Sequence, residues 1–335
     1  MIKIALDAMG SDNAPFSDVG GAVLAAREFD YEIILVGDEA LIKKELQKYK
    51  PVPSNISIHH ASEVIGMHEQ PVLSVRKKKD SSIVALCNLA KEKKADAMVS
   101  AGNTGAMVCA ATLKCRLLQG IERAGIGIVM PTLKGPMVMI DGGANIDAKP
   151  SHLLQYGIMA SAYSEHILDK KCPRVGLLNV GEEESKGTGS LKEAYALLES
   201  SGLNFIGNVE GRDFFVGDCD VIVCDGLVGN VALKVTESVA HAFEELLKRE
   251  LKSNLLSSIG AILAKNSFRS MKRKMDYAEY GGAPLLGIDG VCIIGHGSST
   301  PKAIKNAVRV AGEEVAKNVN QRISEAITYG IRRMT

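Results

Sequence analysis

The segment at 100–106 reads S-A-G-N-T-G-A; it follows an apolar run ending near Val99 and opens a helical pattern over 107–118. Glycine lets a backbone turn tightly and approach a ligand, and a helix start offers unpaired N–H groups at the positive end of its dipole. Gly102 and Gly105, with the donors of Ser100, Asn103 and Thr104, therefore compose a cradle for an anion. The competing reading is that Asn103 or Thr104 only caps the helix. A second turn, G-H-G-S-S at 295–299, follows another apolar run. There His296 can donate to a phosphate or carbonyl oxygen, and Ser298 adds a hydroxyl. Pro301 suits the first turn of the next helix, with Ser299 or Thr300 as its cap.

Four more turns carry polar groups. D-G-L-V-G-N at 225–230 holds Asp225 and Asn230, and Lys234 follows one turn into the helix, within reach of an anion at its start. N-V-G-E-E-E-S-K-G at 179–187 sets Asn179 and Lys186 beside glycines; its acidic run at 182–184 reads as a solvated loop, with a hard-cation site as the alternative. D-A-M-G-S-D-N-A-P at 7–15 puts Asp7, Gly10 and Asp12 at the end of the first strand, where open α/β sheets bind ligands. D-G-G-A-N at 141–145 offers Asp141 and Asn145 in the same way. In both, the acids and amides also have the chemistry to shape a turn and nothing more.

These turns need strands that end at them. Strand-like runs fall at 2–6, 32–36, 55–59, 97–100, 126–130, 137–140, 175–179, 221–223 and 291–294, and helix-like runs at 17–29, 40–49 and 82–94 lie between them. Short apolar runs alternating with helices predict an α/β fold of three layers, α/β/α, with parallel strands covered on both faces. The connection between 126–130 and 137–140 is too short for a parallel crossover, so the sheet is expected to be mixed, mostly parallel with an antiparallel element. No repeat or low-complexity linker divides residues 1–335, which read as a single large α/β domain with a helical excursion at 231–280. Within it the stripe of Leu251, Leu255, Ile259 and Ile262 loses phase near Asn266 and Ser267, which places a turn there.

Absences narrow the chemistry. No G-x-x-x-x-G-K-[ST], G-x-S-x-G or H-E-x-x-H occurs, and no G-x-G-x-x-G follows the first strand. With no marked nucleophile, the nucleophile is expected to come from a substrate, and phosphate dianion is one. Net charge is +1, Trp is absent and aromatics are 4%, which predicts no nucleic-acid partner. The seven cysteines form no C-x-x-C pair and are odd in number, as expected of free thiols in a reducing cytoplasm. No run reaches about 18 uninterrupted apolar residues, so no span is expected.

The ordered set of D-A-M-G-S-D, S-A-G-N-T-G-A, D-G-G-A-N, N-V-G-E-E-E-S-K-G, G-N-V-E-G-R-D at 207–213, D-G-L-V-G-N and H-G-S-S closely resembles the acyl-ACP:phosphate acyltransferases of bacterial phospholipid synthesis, over residues 1 to 320. That resemblance implies a fold related to phosphotransacetylases and isocitrate/isopropylmalate dehydrogenases, and a homodimer. It implies transfer of a fatty acyl group from acyl carrier protein to inorganic phosphate, with the acyl phosphate passed to a membrane glycerol-3-phosphate acyltransferase. The family's first loop usually reads D-A-M-G-G-D-H-A-P; here Ser11 replaces the second glycine and Asn13 the histidine, so no histidine of that loop acts in this chain.

On that reading phosphate is held by Ser100, Asn103, Thr104 and Gly105 and attacks the thioester carbonyl, with Lys186, Asn230, Lys234 and His296 as candidate electrostatic donors. Neither metal nor cofactor is implied. A rival enzyme reading is a metal-dependent 2-hydroxy acid dehydrogenase using Asp141, Asp220 and Asp225. A non-enzymatic rival is an acyl-binding or membrane-attached scaffold. Its motive is 251–275, where apolar Leu255, Leu256, Ile259, Ile262, Leu263 and Phe268 accompany basic Lys265, Arg269, Lys272, Arg273 and Lys274, a pattern suited to peripheral contact with the inner face of the plasma membrane. The competing reading packs those apolar residues in the dimer or on the sheet.

Overall fold

Short Val/Ile/Leu runs that end in Gly, Asp or Ser become strands here because helices cover both of their faces, which removes any need for polar alternation. A computed structural model describes residues 1–275 and 277–334. The chain opens β1 (Ile2–Asp7), α1 (Phe16–Glu28), β2 (Tyr31–Gly37), α2 (Glu39–Leu46), β3 (Ile56–His60), α3 (Pro71–Lys77), α4 (Ser82–Lys91), β4 (Ala97–Ser100) and α5 (Thr104–Cys115). A hairpin, β5 (Gly125–Thr132) and β6 (Gly135–Ile140), leads to α6 (Pro150–His166), β7 (Arg174–Leu178), α7 (Gly189–Ser200), β8 (Asn204–Val209), a 3-10 turn (Gly211–Phe215) and β9 (Val221–Val223). Then come α8 (Gly226–Leu251), α9 (Leu255–Leu263), α10 (Lys265–Met275), α11 (Tyr277–Tyr280), β10 (Ala283–Leu286), β11 (Val291–Ile294), α12 (Pro301–Ala316) and α13 (Val319–Met334).

All eleven strands join one sheet in the order β3-β2-β1-β4-β11-β10-β5-β6-β9-β7-β8. The ladders from β3 to β11 are parallel, and so are those from β6 to β8. Between them the β11–β10, β10–β5 and β5–β6 ladders are antiparallel. An odd number of reversals gives the two parallel halves opposite polarity: the strands of one half end on the edge where those of the other begin. The predicted mixed, three-layer α/β sheet is therefore present, with the expected 126–140 hairpin at its middle.

Four apolar clusters fill the layers. One joins the sheet to α4 and α5, and on the opposite face of the same half another joins it to α1 and α12. In the second half α6 and α13 cover one face, while the 3-10 turn with Ala232 and Leu233 of α8 covers the other.

The 231–280 excursion begins on α8. Of its 26 residues only Gly226 and Gly229 are buried. Asn254 caps α9 through a hydrogen bond from Ser257 N, and the turn expected near Asn266–Ser267 from the lost phase falls at Ala264, between α9 and α10. The side chains of Leu255, Lys272, Arg273 and Lys274 lie outside the described residues. No helix among the described residues is long and apolar enough to cross a membrane.

Candidate active site

Strands β1, β4 and β11 are neighbours and parallel, so the turns after them share one edge of the sheet. Backbone bonds knit the three together: Gly295 N donates to Ser100 O (2.8 Å) and Asp12 N to Gly297 O (2.8 Å). Gly10 and Gly102 touch backbone to backbone; a Cβ on Gly10 would stand 2.7 Å from Gly102 N and 2.6 Å from the Asp7 carboxylate. That is the reason glycine is required at Gly10, while a Cβ on Gly102 would be tight, 3.2 Å from Ser100 Oγ and 3.3 Å from Asp7 Oδ2.

Several predicted ligand contacts prove to be the frame of this cradle. Ser100 Oγ donates to Asp7 Oδ2 (2.8 Å) and accepts from Gly102 N (3.1 Å), and both side chains are fully buried. Burial raises the Asp7 carboxyl above its usual range, against the Ser100 and Met9 hydrogen bonds. Asn103 is the N-cap of α5, accepting from Ala106 N (3.0 Å), and its amide donates to the carbonyls of Gly66, Met67 and Glu69. What the edge offers a ligand is the exposed start of α5 at Thr104 and Gly105. Asp12, also exposed, lies beside Gly297.

The second half contributes through α8. Asp225 caps it, accepting from Val228 N (2.9 Å), on the opposite edge of the sheet. Nine residues of helix cover about 13 Å, roughly the height of a four-residue strand. Lys234 thereby arrives at the edge where β11 ends, and its Nζ lies 3.3 Å from His296 Nε2. Ser298 N donates to His296 Nδ1 (3.2 Å), and Ser298 Oγ also contacts that nitrogen (2.7 Å). The Lys234 ammonium, held by Glu237 (2.8 Å), and the His296 ring nitrogen Nε2 thus face one volume. Such a pair suits an anionic oxygen.

The remaining predicted residues form a separate group. Asp141 accepts from Ile126, Gly143 and Ala144 through Oδ1 and from Asn145 N through Oδ2 (2.7 Å), so it organises its own turn. Asn145 donates to Ala124 O and Tyr156 Oη. Asn230 lies against Gly143, one turn of α8 from Lys234. Asn179 bonds Lys186 O and Asn208, while Lys186 Nζ lies 3.9 Å from Glu183. The ends of β6, β9 and β7, which carry Asp141, Asp225 and Asn179, are on the edge opposite Ser100 and His296. The dehydrogenase trio fails for a related reason. Asp220 stands at the start of β9, held by Arg174 (2.9 Å) and Lys170 (3.2 Å), five residues and about 16 Å of extended chain from Asp225. Those carboxylates cannot share one ion.

A profile of the family described as "Fatty acid synthesis protein" matches residues 2–322. The chain is 51% identical over 328 residues to a protein of Dictyoglomus turgidum, covering 97% of this chain and 98% of that one. It is 49% identical over 322 residues to a protein of Syntrophotalea carbinolica, covering 96% and 93%. Both are named phosphate acyltransferase. This chain belongs to the phosphate acyltransferase family. As a member of it, the protein is an acyltransferase enzyme. Solved structures give the same fold at low identity. A phosphotransacetylase from Streptococcus pyogenes superposes with a TM-score of 0.66 at 17% identity, covering 94% of each chain. A 4-hydroxythreonine-4-phosphate dehydrogenase from Klebsiella pneumoniae does so at 0.52 and 12%, covering 94% of this chain and all of that one.

For a phosphate acyltransferase, the first loop holds one group the sequence did not flag. Ser11 Oγ, at the position where the family's usual loop has glycine, donates to Asp18 Oδ2 (2.6 Å). Asp18 is wholly buried in the first turn of α1, and its Oδ1 has no hydrogen-bond partner among the described residues. Burial pushes its carboxyl from 3.8 up to about 7; the Ser11 bond opposes that rise and the nearby Asp7 charge adds to it. A proton held more tightly in the folded state than in the unfolded chain stabilises folding below the unfolded pKa, and that contribution is lost as pH rises from about 4 through about 7. Asp18→Asn should remove this loss. Relative to wild type, the variant is expected to gain about 3 kcal/mol between pH 5 and pH 8, at roughly 1.4 kcal/mol per pKa unit. Denaturant melts at the two pH values measure it, and an equal offset at both would refute the assignment.

Proposed function

We propose that the enzyme transfers a fatty acyl group from acyl carrier protein to inorganic phosphate, and that its acyl phosphate product feeds phospholipid synthesis through a membrane glycerol-3-phosphate acyltransferase. The observation that carries this reading is the convergence of Lys234 and His296 at 3.3 Å beside the open start of α5. Phosphate docks at the Thr104–Gly105 end of α5, where helix N–H groups favour an anion. A phosphate oxygen attacks the thioester carbonyl carbon, the C–S bond breaks, and its electron pair leaves on sulfur. The carbonyl oxygen gains charge on the way, and the Lys234 ammonium, with His296 beside it at the seam between the two halves of the sheet, stabilises it. Thiolate is a good leaving group, so no strong general acid is needed and the thioester itself supplies the activation that ATP would otherwise give.

The test is direct. Acylated carrier protein incubated with phosphate should yield free carrier thiol and a hydroxylamine-trappable acyl phosphate in equal amounts, with turnover unchanged by EDTA. An absolute requirement for ATP would sink the proposal.

The same reading includes a homodimer and a cytoplasmic enzyme that rests reversibly on anionic membrane. Leu256 and Leu263 of α9 are each 82% exposed and Ile262 is 70% exposed, with Lys265 and Arg269 beside them. Apolar side chains at the headgroup boundary and cations against anionic lipid would hold the enzyme near the user of its product. Ile262→Glu/Phe268→Glu is expected to abolish co-sedimentation with anionic vesicles while the dimer persists; equal binding by wild type and variant would remove α9 and α10 as the anchor.

A further inference from the structure

A second surface, distant in sequence from α9, begins at the cradle itself. α3 packs against α5: a Cβ on Gly105 would lie 2.7 Å from Pro71 Cγ, and the Arg76 charge reaches Cys109. On α5, Gly105, Cys109 and Leu113 are spaced by four and share one face. Val72 and Leu73 of α3 are each 49% exposed and Leu113 is 57% exposed, an apolar strip with no described cover. Met67 continues it to the other side of the cradle, since its Cε would meet a Cβ on Gly297 at 2.7 Å.

Cations rim this strip. Residues 76–79 read R-K-K-K with no acid between. Lys78 is spent on Glu69 and on Val64 O, and Asp80 is held by Ser62. Arg76, Lys77 and Lys79 are exposed and make no ion pair with any described residue, and exposed Arg116 closes the far end of α5. Three unneutralised cations beside an apolar strip that leads into a reaction site fit an acidic protein whose cargo enters that site.

We propose that the α3–α5 face, with Val72, Leu73 and Leu113 rimmed by Arg76, Lys77 and Lys79, is where the acidic carrier of the acyl thioester docks. This rests on the proposed acyl-carrier reading and names the surface that reading requires. Gly105 and Leu113 are eight helical residues apart, about 12 Å. A carrier seated on Leu113 therefore delivers the thioester on an extended arm along the exposed face of α5, not from its own surface. A lipid bilayer would use the same cations and apolar groups, but it would gain nothing from their continuity with the cradle. Opposite charges on carrier and enzyme speed encounter and set register more than they add affinity.

The experiment compares wild type with Arg76→Glu/Lys77→Glu/Lys79→Glu and with Leu113→Glu. Fluorescence anisotropy follows binding of acylated acyl carrier protein, and steady-state kinetics follow acyl phosphate formation. The triple variant should weaken carrier binding and raise the carrier KM at least about tenfold, with kcat within about twofold and a flattened salt dependence of KM. Leu113→Glu should raise KM in the same way. Unchanged carrier binding, or a fall in kcat at constant KM, would overturn the proposal. So would variants that lose only binding to phosphatidylglycerol vesicles, or only dimerisation, because the face would then belong to lipid or to a second copy. The two readings separate cleanly. A wild type that binds carrier through this face yet forms no acyl phosphate defeats the reaction alone, and a wild type that forms it while the triple variant binds carrier normally defeats the docking face alone.

Discussion

Lys234→Met is expected to lower kcat for acyl transfer to phosphate by about 10²–10³, the usual cost of removing one oriented donor from a developing oxyanion. Folding should be nearly untouched, because the side chain is 51% exposed and its one described carboxylate contact is to Glu237, an exposed pair worth little. His296→Asn should fall in the same range. It keeps a polar group near Ser298 but removes the ring nitrogen that faces Lys234. The double variant should be little worse than either single, since both donors serve one oxygen and their effects are not additive. Initial rates against phosphate and against thioester decide which oxygen is involved. A loss carried in kcat at constant phosphate KM places the pair on the carbonyl oxygen, and a loss carried in phosphate KM places it on phosphate. Wild-type turnover by Lys234→Met would remove the seam as the reaction site.

The second large effect concerns assembly. Val231, Val235, Val239, Phe243 and Leu246 form a stripe along α8, each at least half exposed. Spacings of four, four, four and three keep them on one helix face. A monomer would leave this stripe in water, whereas a second copy of α8 would cover it. Val239→Glu/Phe243→Glu should convert the proposed dimer to monomer. Four large apolar burials lost per dimer, at about 1.5–3 kcal/mol each, amount to roughly 6–12 kcal/mol, far more than a micromolar sample can offset. Light scattering reads the mass directly, and a monomeric wild type at micromolar concentration would refute the dimer. Turnover of the monomer then shows whether Lys234, on the same helix, keeps its position without a partner.

Several predicted elements match because their signal is local. The runs at 97–100, 221–223 and 291–294 are β4, β9 and β11 with the same bounds, each a short apolar run followed by polar or glycine residues. Other elements gave no such signal. β10 reads A-P-L-L after Gly281 and Gly282, and a proline within a run argues against a strand. It exists because Ala283 and Pro284 pair with β11 and Leu285 and Leu286 with β5. β8 is an edge strand with only two of its six residues buried and Gly207 in its middle. α3 is seven residues long, and its partner α5 lies far along the chain.

The amino-acid order alone determined the α/β class, the antiparallel hairpin, the glycine turns at strand ends and, through their ordered set, the family. All of these are local or compositional, since turn chemistry and apolar periodicity are written within a few residues. Which turns share a site was decided only in three dimensions. Sequence reasoning assigned residues of all six to one site, yet three antiparallel ladders at the centre of the sheet put Asp141, Asn179 and Asp225 on one edge and Ser100 and His296 on the other. Strand polarity depends on pairing between segments far apart in the chain, and no local pattern encodes it. The same holds for Lys234 meeting His296, 62 residues apart, which follows from the rise of a helix matching the height of a strand. It holds too for Asp18, which reads as an ordinary first-turn acid and becomes a buried carboxylate held by Ser11 only because the loop carrying Ser11 folds back over the start of α1.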